Sequence, residues 1–331
     1  MVIKLNLKYI VDEESSGKTV KTILKTKMQL SGSLIKKLKY QQKILCNGQP
    51  VYVNSVVDRY DILEVCPRPD GVCSSIIPQN IPLDILYEDQ SFIVINKKPG
   101  IVVHPTSNHP DRTLANALSF HLKSNDMEAR IHPVMRLDKD TSGIIIFAKE
   151  PYSQNFLVEQ MKEGTFLKEY AGIVHGIITP ETGIIDLPIS RMEGSIILRK
   201  ISTDGKPSIT HYEVQKYLKG ASLLKFGLKT GRTHQIRVHC QAVGHPLVGD
   251  SLYPLLSSEV SSATKTISEN SCGNISDIIC SNFPPIPPKI INRQALHSYK
   301  VAFVHPYTKQ AFELTAPLPA DMADIVEILG K

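Results

Sequence analysis

No run of apolar residues in this 331-residue chain approaches the ~20 needed to cross a bilayer. The opening MVIKLNLKYIVDEE turns acidic before any secretory core can form, so a cytoplasmic protein with no membrane partner is expected. The six cysteines, at positions 46, 66, 73, 240, 272 and 280, form no C-x-x-C pair and no paired zinc spacing. They read as free thiols, which excludes a disulfide scaffold and a zinc ribbon. A glycine-rich nucleotide loop is also missing, and with it any sign of a redox cofactor. The last absence is local: from Ser15 to Val57 there is no acidic residue, while Lys18, Lys21, Lys25, Lys27, Lys36, Lys37, Lys39 and Lys43 crowd the same stretch. Clustered positive charge of this kind calls for a polyanionic partner, whereas the overall charge of +6 says little by itself.

What is present is ordinary for a soluble globular protein: 42% hydrophobic and 21% charged residues, with a length that implies about two domains. Residues 1–65 read as a small basic unit. Val20, Ile23, Leu24 and Met28 recur at helical spacing, as do Leu34, Ile35 and Leu38. Ser31-Gly32-Ser33 lies between them as a turn, with Ser33 as the expected N-cap. Lys36, Lys37 and Lys39 fall on the polar side of the second helix. Asn47-Gly48 between two β-rich runs signals a hairpin. Residues 66–82 carry five Pro or Gly positions (67, 69, 71, 78 and 82) and read as a linker.

The main body, 83–331, alternates strand-like runs with turns and a few helices. A strand is expected over Ser91–Asn96, ended by the Pro99-Gly100 turn, and a helix over Thr113–Leu122. A buried strand is expected at IIIFAK after Gly143, and a helix from Pro151 to Gly164. The pattern predicts an α+β fold with a mostly antiparallel sheet. Residues 257–289 are Ser-rich, end in FPPIPPK, and read as an inserted loop.

Three clusters could carry chemistry. PVMRLDKDTSGIIIFAK, Pro133 to Lys149, sets Arg136, Asp138 and Asp140 in a loop before a rigid strand, a sound platform for a catalytic carboxylate. Asp140 is readily explained as a turn residue bonding the backbone of Ser142; for Asp138 the local sequence leaves both a turn and a catalytic role open. TGRTHQIRVH supplies Arg232 and Arg237, two guanidiniums able to grip a carboxylate or phosphate bidentately. His234 and His239 do not have the i, i+4 spacing of a helical zinc pair, and no ligand set completes them, so no metal is expected. In FLKEYAGIVHG, Tyr170 reads on local grounds as strand packing.

These segments, in this order, resemble the RluA branch of the pseudouridine synthases. The resemblance runs through LYEDQSFIVINKKPGIVVHPT, RLDKDTSG, KEYAGIVHG, ISTDGKPSITHYEV, TGRTHQIRVHCQAVGHPLVGDSLY and LHSYKVAFVHPYTKQAFELTAPLP. It covers about Asp84 to Asp321. The first segment, ending NGQPVYVNSVVDRYDILEV, resembles the small alpha-L RNA-binding domain that often precedes this catalytic domain, although Tyr60-Asp61 stands where Gly-Asp is common. Met135 occupies a position where many relatives have His.

The resemblance implies an isomerase that breaks the base–ribose bond of a uridine, turns the uracil and rejoins it through carbon 5. No oxidation state changes, so no cofactor is called for. It implies Asp138 as the catalytic carboxylate, Tyr170 stacked on the uracil, and Arg232 as the guanidinium that partners Asp138. It also implies Arg136 filling the space vacated by the flipped base, at an unstacking cost of a few kcal/mol. Arg237, Lys36, Lys37 and Lys39 are expected to contact RNA, and the chain is expected to act as a monomer. Large-subunit ribosomal RNA is the expected target, with tRNA as the alternative. A different class, an inactive RNA-binding or ribosome-assembly factor, would not need Asp138, Tyr170 and Arg232 together. A glycosidase using Asp138 and Asp140 is disfavoured, because neighbours on one loop rarely straddle a bond at the ~5–9 Å such chemistry requires.

Overall fold

The computed structural model describes residues 6–67, 76–125, 130–255, 286 and 290–331. The expected insertion at 257–289 therefore lies outside the described residues, apart from Ile286.

The N-terminal unit contains β1 (Leu7–Ile10), α1 (Val20–Thr26), α2 (Gly32–Tyr40), β2 (Ile44–Cys46), β3 (Gln49–Pro50) and β4 (Ile62–Val65). Its strands form one sheet in the order β1-β4-β2-β3. Asn47 and Gly48 both have positive φ, 51° and 79°, as a two-residue type I′ hairpin requires. The second helix begins two residues earlier than its sequence suggests. Ser31, not Ser33, is the N-cap, with Oγ accepting from Leu34 N–H at 3.3 Å, because Gly32 already takes up helical geometry. Val20, Ile23, Leu24, Leu34, Ile35 and Leu38 are buried against Ile44, Leu63 and Val65. Lys36, Lys37 and Lys39 stay exposed on the opposite side.

The main body comprises β5 (Ile85–Glu88), β6 (Phe92–Lys97), α3 (Leu114–Ser124), β7 (His132–Pro133), β8 (Ser142–Ala148), α4 (Pro151–Glu163), β9 (Leu167–His175), β10 (Thr182–Asp186), β11 (Ile189–Arg191), β12 (Arg199–Ile201), β13 (Ile209–Leu218), β14 (Ala221–Leu228), α5 (Gln235–Ala242), β15 (Leu296–Val304), β16 (Ala311–Thr315) and α6 (Ala320–Leu329). A ten-stranded sheet runs β10-β13-β14-β9-β15-β8-β6-β5, with β16 and β7 attached at its side, while β11 and β12 form a separate hairpin. The pairing is antiparallel except between β8 and β15. This is the expected α+β fold with a mostly antiparallel mixed sheet. No described helix is long and apolar enough to cross a membrane. The described cysteines, Cys46, Cys66 and Cys240, are unpaired.

The sheet centre explains where the candidate loop sits. All seven residues of β8 are buried, so its β-branched run is covered on both faces. On one side Ile144 and Ile146 pack with Phe92, Val94, Val301 and Phe303; on the other Ile145 and Phe147 pack with Ile95, Leu114 and Leu118 of α3. Thr113 and Asn116 cap α3 reciprocally, and Asn116 also donates to the Ile77 carbonyl at 2.8 Å. The end of the expected linker is thereby tied along α3. The helix predicted from Pro151 to Gly164 is present, with Glu150 accepting from Tyr152 and Ser153 N–H at 2.7 Å.

Two residues at the start of β8 make the sheet sensitive there. Gly143 has φ +105°, and a Cβ at that position would run into the Ser298 backbone of β15. Gly143→Ala is therefore expected to lower stability by about 2 kcal/mol or more, measured by urea unfolding. Ser142 Oγ lies 3.0 Å from Nδ1 of the fully buried His297. Burial pushes the His297 and His132 imidazoles down, each to about 4 against an ordinary 6.5. The folded protein thus keeps both neutral while the unfolded chain takes up protons, so stability should fall as pH drops from about 6.5 toward 4. His297→Gln is expected to flatten that fall in urea midpoints measured across the range.

Candidate active site

The loop between β7 and β8 presents Asp138 with its side chain about a quarter exposed. The turn that follows is closed through the backbone, Thr141 N–H to Asp138 C=O at 3.2 Å. Asp140 serves this turn through its main chain, its carbonyl accepting from Arg293 Nη1 at 3.2 Å. Three further anchors hold the loop from distant parts of the chain. Lys97, almost wholly buried, donates Nζ to the Lys139 carbonyl at 2.6 Å and to the Lys98 and Ile101 carbonyls at 3.0 Å. Gly100 N–H bonds the same Lys139 carbonyl at 3.0 Å. Gln294 Nε2 donates to Thr141 Oγ1 at 3.1 Å. Burial pushes the Lys97 ammonium down to about 7, against the pull of Asp140 and Asp138. An apolar side chain here would remove the Nζ donor from all three carbonyls and leave Lys139 with the Gly100 N–H.

The partner of Asp138 is Arg237, not Arg232. Arg237 Nη1 lies 3.2 Å from Asp138 Oδ2, while Nε and Nη2 grip Asp250 at 2.7 Å each. The reason is helical geometry. His234 and Arg237, three residues apart at the start of α5, share a face, and both turn inward toward Asp138. Arg232 lies in the preceding loop, is exposed, and donates Nε to the Pro207 carbonyl at 3.3 Å. The expected positions of the two arginines are therefore exchanged: Arg237 is buried beside the carboxylate and Arg232 is on the surface. Burial works against the Arg237 charge, but the Asp250 and Asp138 carboxylates outweigh it and hold the guanidinium above its ordinary range.

Tyr170 lies on β9, between Phe226 of β14 and Ser298 of β15 in register. It is buried with Val174, Phe226, Ile236 and the partly buried Leu137. Burial pushes its phenol up, the negative charge of Asp138 adds to this, and Ser298 offsets part of it. A neutral aromatic ring thus sits in the same electrostatic neighbourhood as Asp138. Lys168, two residues earlier on the same strand face, lies against Gly231 and is pushed down by burial.

Arg136 is exposed beside the loop. Met135 points the other way, into the cluster of Ile95, Val103, Leu114 and Ile145, so the departure from His falls in the core. Lys36, Lys37 and Lys39 stand apart from the Asp138 loop on α2. Lys37 nevertheless acts on the main body: after burial, its charge and that of Arg130 help to push His132 down. No group of three or more metal-ligating side chains occurs among the described residues. In particular His239 bonds Thr210 and the Leu187 carbonyl, at 3.0 and 2.9 Å.

Nothing local singles out Lys97, Asp250, Tyr253 or Arg293 as a site residue, although the first three stand in segments that carry the resemblance. Asp250 and Tyr253 stand in GHPLVGDSLY, but only the fold brings them to Arg237. The alternation of β9 could have flagged Lys168, since Lys168 and Tyr170 must face one side.

A carboxylate on a pinned loop, a guanidinium locked behind it and a buried tyrosine across the strands thus come together in one place. A profile for RNA pseudouridylate synthase matches residues 91–242, and one for the RluD ribosomal pseudouridine synthase N-terminal domain matches residues 7–63. This chain belongs to the RNA pseudouridylate synthase family, isomerases that act on RNA. Among its relatives is ribosomal large subunit pseudouridine synthase D of Buchnera aphidicola subsp. Schizaphis graminum, 36% identical over 96% of this chain and 95% of that protein. The RNA pseudouridine synthase YjbO of Bacillus subtilis is also 36% identical, over 85% of this chain and 88% of that one. Human RNA pseudouridylate synthase domain containing 4 has the same fold, with a TM-score of 0.54 at 21% identity over 74% of this chain and 92% of that one.

The exchange of the two arginines can be checked directly. Arg237→Lys is expected to lower the single-turnover rate about a hundredfold or more, as loss of a preorganised donor does, and to lower stability because Asp250 loses a buried partner. Arg232→Ala should leave the single-turnover rate at saturating RNA close to wild type. A reversed order of the two effects would restore Arg232 as the partner.

Proposed function

We propose that this protein converts specific uridines to pseudouridine in large-subunit ribosomal RNA, acting in the cytoplasm as a monomer and without a cofactor. The observation that carries this reading is the pair of Asp138 and Arg237, with Arg237 fixed by Asp250 and Tyr170 alongside. The RNA target is supported by relatives that are named as large-subunit enzymes across nearly the whole length of this chain.

In this reading Asp138 is the catalytic carboxylate that acts on the ribose of the target nucleotide. Arg237 fixes its direction through the 3.2 Å contact to Oδ2, which lowers the reorganisation needed during the reaction. The buried ring of Tyr170 packs against the uracil, a contact worth ~1–3 kcal/mol. Exposed Arg136 occupies the gap left by the flipped nucleotide. Residues 1–65 act as an RNA-binding unit, in which Lys36, Lys37 and Lys39 meet phosphates while Arg232 contributes from the exposed loop before α5. Residues 66–82 connect it to the catalytic unit.

Purified protein should install pseudouridine in large-subunit ribosomal RNA taken from a strain lacking the gene, read by chemical mapping with tRNA run in parallel. Asp138→Asn is expected to abolish conversion and to keep RNA affinity, with log Kobs falling linearly in log salt for both proteins. Conversion by Asp138→Asn at the wild-type rate would refute the catalytic assignment. Modification of tRNA alone would move the target.

A further inference from the structure

A second side chain faces the candidate carboxylate, and its surroundings fix which of its nitrogens carries hydrogen. His234 Nε2 lies 3.7 Å from Asp138 Oδ2, the same oxygen that Arg237 approaches. The residue stands at the N-cap of α5 with φ +59°, the left-handed region, and its side chain makes no capping bond. Strain of this kind at a non-glycine residue persists only where the surroundings impose it. What it achieves is orientation: the ring turns back under the loop instead of closing the helix end.

The far side of the ring is held by Tyr253. Its hydroxyl lies 2.8 Å from His234 Nδ1 and accepts from Arg199 N–H at 2.9 Å. Tyr253 is almost fully buried, and since its oxygen already accepts from Arg199, Nδ1 is the one ring or carbonyl atom among the described residues placed to take its proton. A neutral imidazole that accepts at Nδ1 carries its hydrogen on Nε2. The groups facing the ring are Asp138, Arg237, Arg199, Asp250 and Tyr253. Burial favours the neutral form, the two arginines reinforce it and the two carboxylates oppose it, with a net push downward. No described residue bonds Asp138 Oδ1.

We propose that His234 is a positioning residue, whose Nε2–H, oriented by the Tyr253 hydroxyl at Nδ1, joins Arg237 on Asp138 Oδ2 and leaves Oδ1 as the oxygen presented to the substrate. The present 3.7 Å separation is longer than a hydrogen bond. Contacts of this type tighten when substrate fills the site. The function of Tyr253, on this view, is to choose the tautomer. A second donor on Oδ2 also stops the carboxylate from rotating about its Cβ–Cγ bond, which a single guanidinium contact would permit.

This inference rests on the proposed role of Asp138 in uridine isomerisation. The test is single-turnover conversion at saturating ribosomal RNA by wild type, Asp138→Asn, His234→Phe, His234→Gln and Tyr253→Phe, with RNA affinity and thermal unfolding measured for each. His234→Phe is expected to lose about ten- to a hundredfold in rate, the worth of a hydrogen bond to a charged group, with unchanged RNA affinity. His234→Gln, which returns an N–H at similar reach, should recover most of the rate. Tyr253→Phe should lose severalfold. In ¹⁵N spectra of the histidine-labelled protein at neutral pH, Nδ1 of His234 should be the unprotonated nitrogen. A wild-type rate in His234→Phe, equal losses in the Phe and Gln variants, or a protonated Nδ1 would each overturn the proposal. An inactive wild type or an active Asp138→Asn would instead overturn the underlying reading of the site.

Discussion

The arrangement depends on one buried cation. The Arg237 side chain is 5% exposed and lies between two carboxylates, one fully enclosed and one about a quarter exposed. A guanidinium taken out of water at this depth is costly unless its fork is filled. Asp250 fills it bidentately and is itself satisfied by the N–H groups of Leu252 and Tyr253, at 3.0 and 3.2 Å. With that pair closed, the remaining Nη1 is free to define the direction of Asp138. The segment after α5 therefore matters to the site as much as α5 itself, because it carries the carboxylate that makes the buried charge tolerable.

The loop carrying Asp138 is equally dependent on remote segments. Its carbonyls at Lys139 and Asp140 are held by Lys97 at the end of β6 and by Arg293 before β15. Arg293 is in turn gripped by Asp321 at the start of α6, at 2.7 and 2.8 Å. Parallel pairing of β15 with the first residues of β8 brings Arg293 and Gln294 under the loop. The C-terminal helix, 180 residues downstream by number, thus bears on the same turn as the strand that precedes it. Few routes of movement are left to a loop pinned on both sides, the condition under which a side chain is held in one geometry.

The N-terminal unit is joined to this frame by an aromatic seam. Tyr152 and Phe156 of α4 share the cluster of Val20, Leu24 and Leu34, with Tyr307 packed against it. Asn155 Nδ2 reaches the Gln29 carbonyl at 3.3 Å, and Lys309 Nζ sits 3.7 Å from the centre of the Phe156 ring. Burying part of α4 under the small unit sets Lys37 close enough to act on His132. Lys37 of α2 and Arg130 of the main body thus bear on the same buried imidazole, adding to the effect of its burial.

The local sequence was sufficient wherever the determining contacts are close in the chain. The Asn47-Gly48 hairpin, the Pro151–Gly164 helix and the β-branched run of β8 each follow from neighbours a few residues apart. Ordered motifs also identified the family and marked Asp138 and Tyr170. The choice between Arg232 and Arg237 was not local. Both stand in one short motif with the same chemistry, and only the start of α5, with its strained His234, turns one inward and leaves the other outside. Asp250, Lys97 and Arg293 were hidden for the same reason: their value lies in partners from 13 to 153 residues away. Sequence periodicity reports which face of an element is buried, whereas a buried charge is explained only by the partner that the tertiary fold delivers to it.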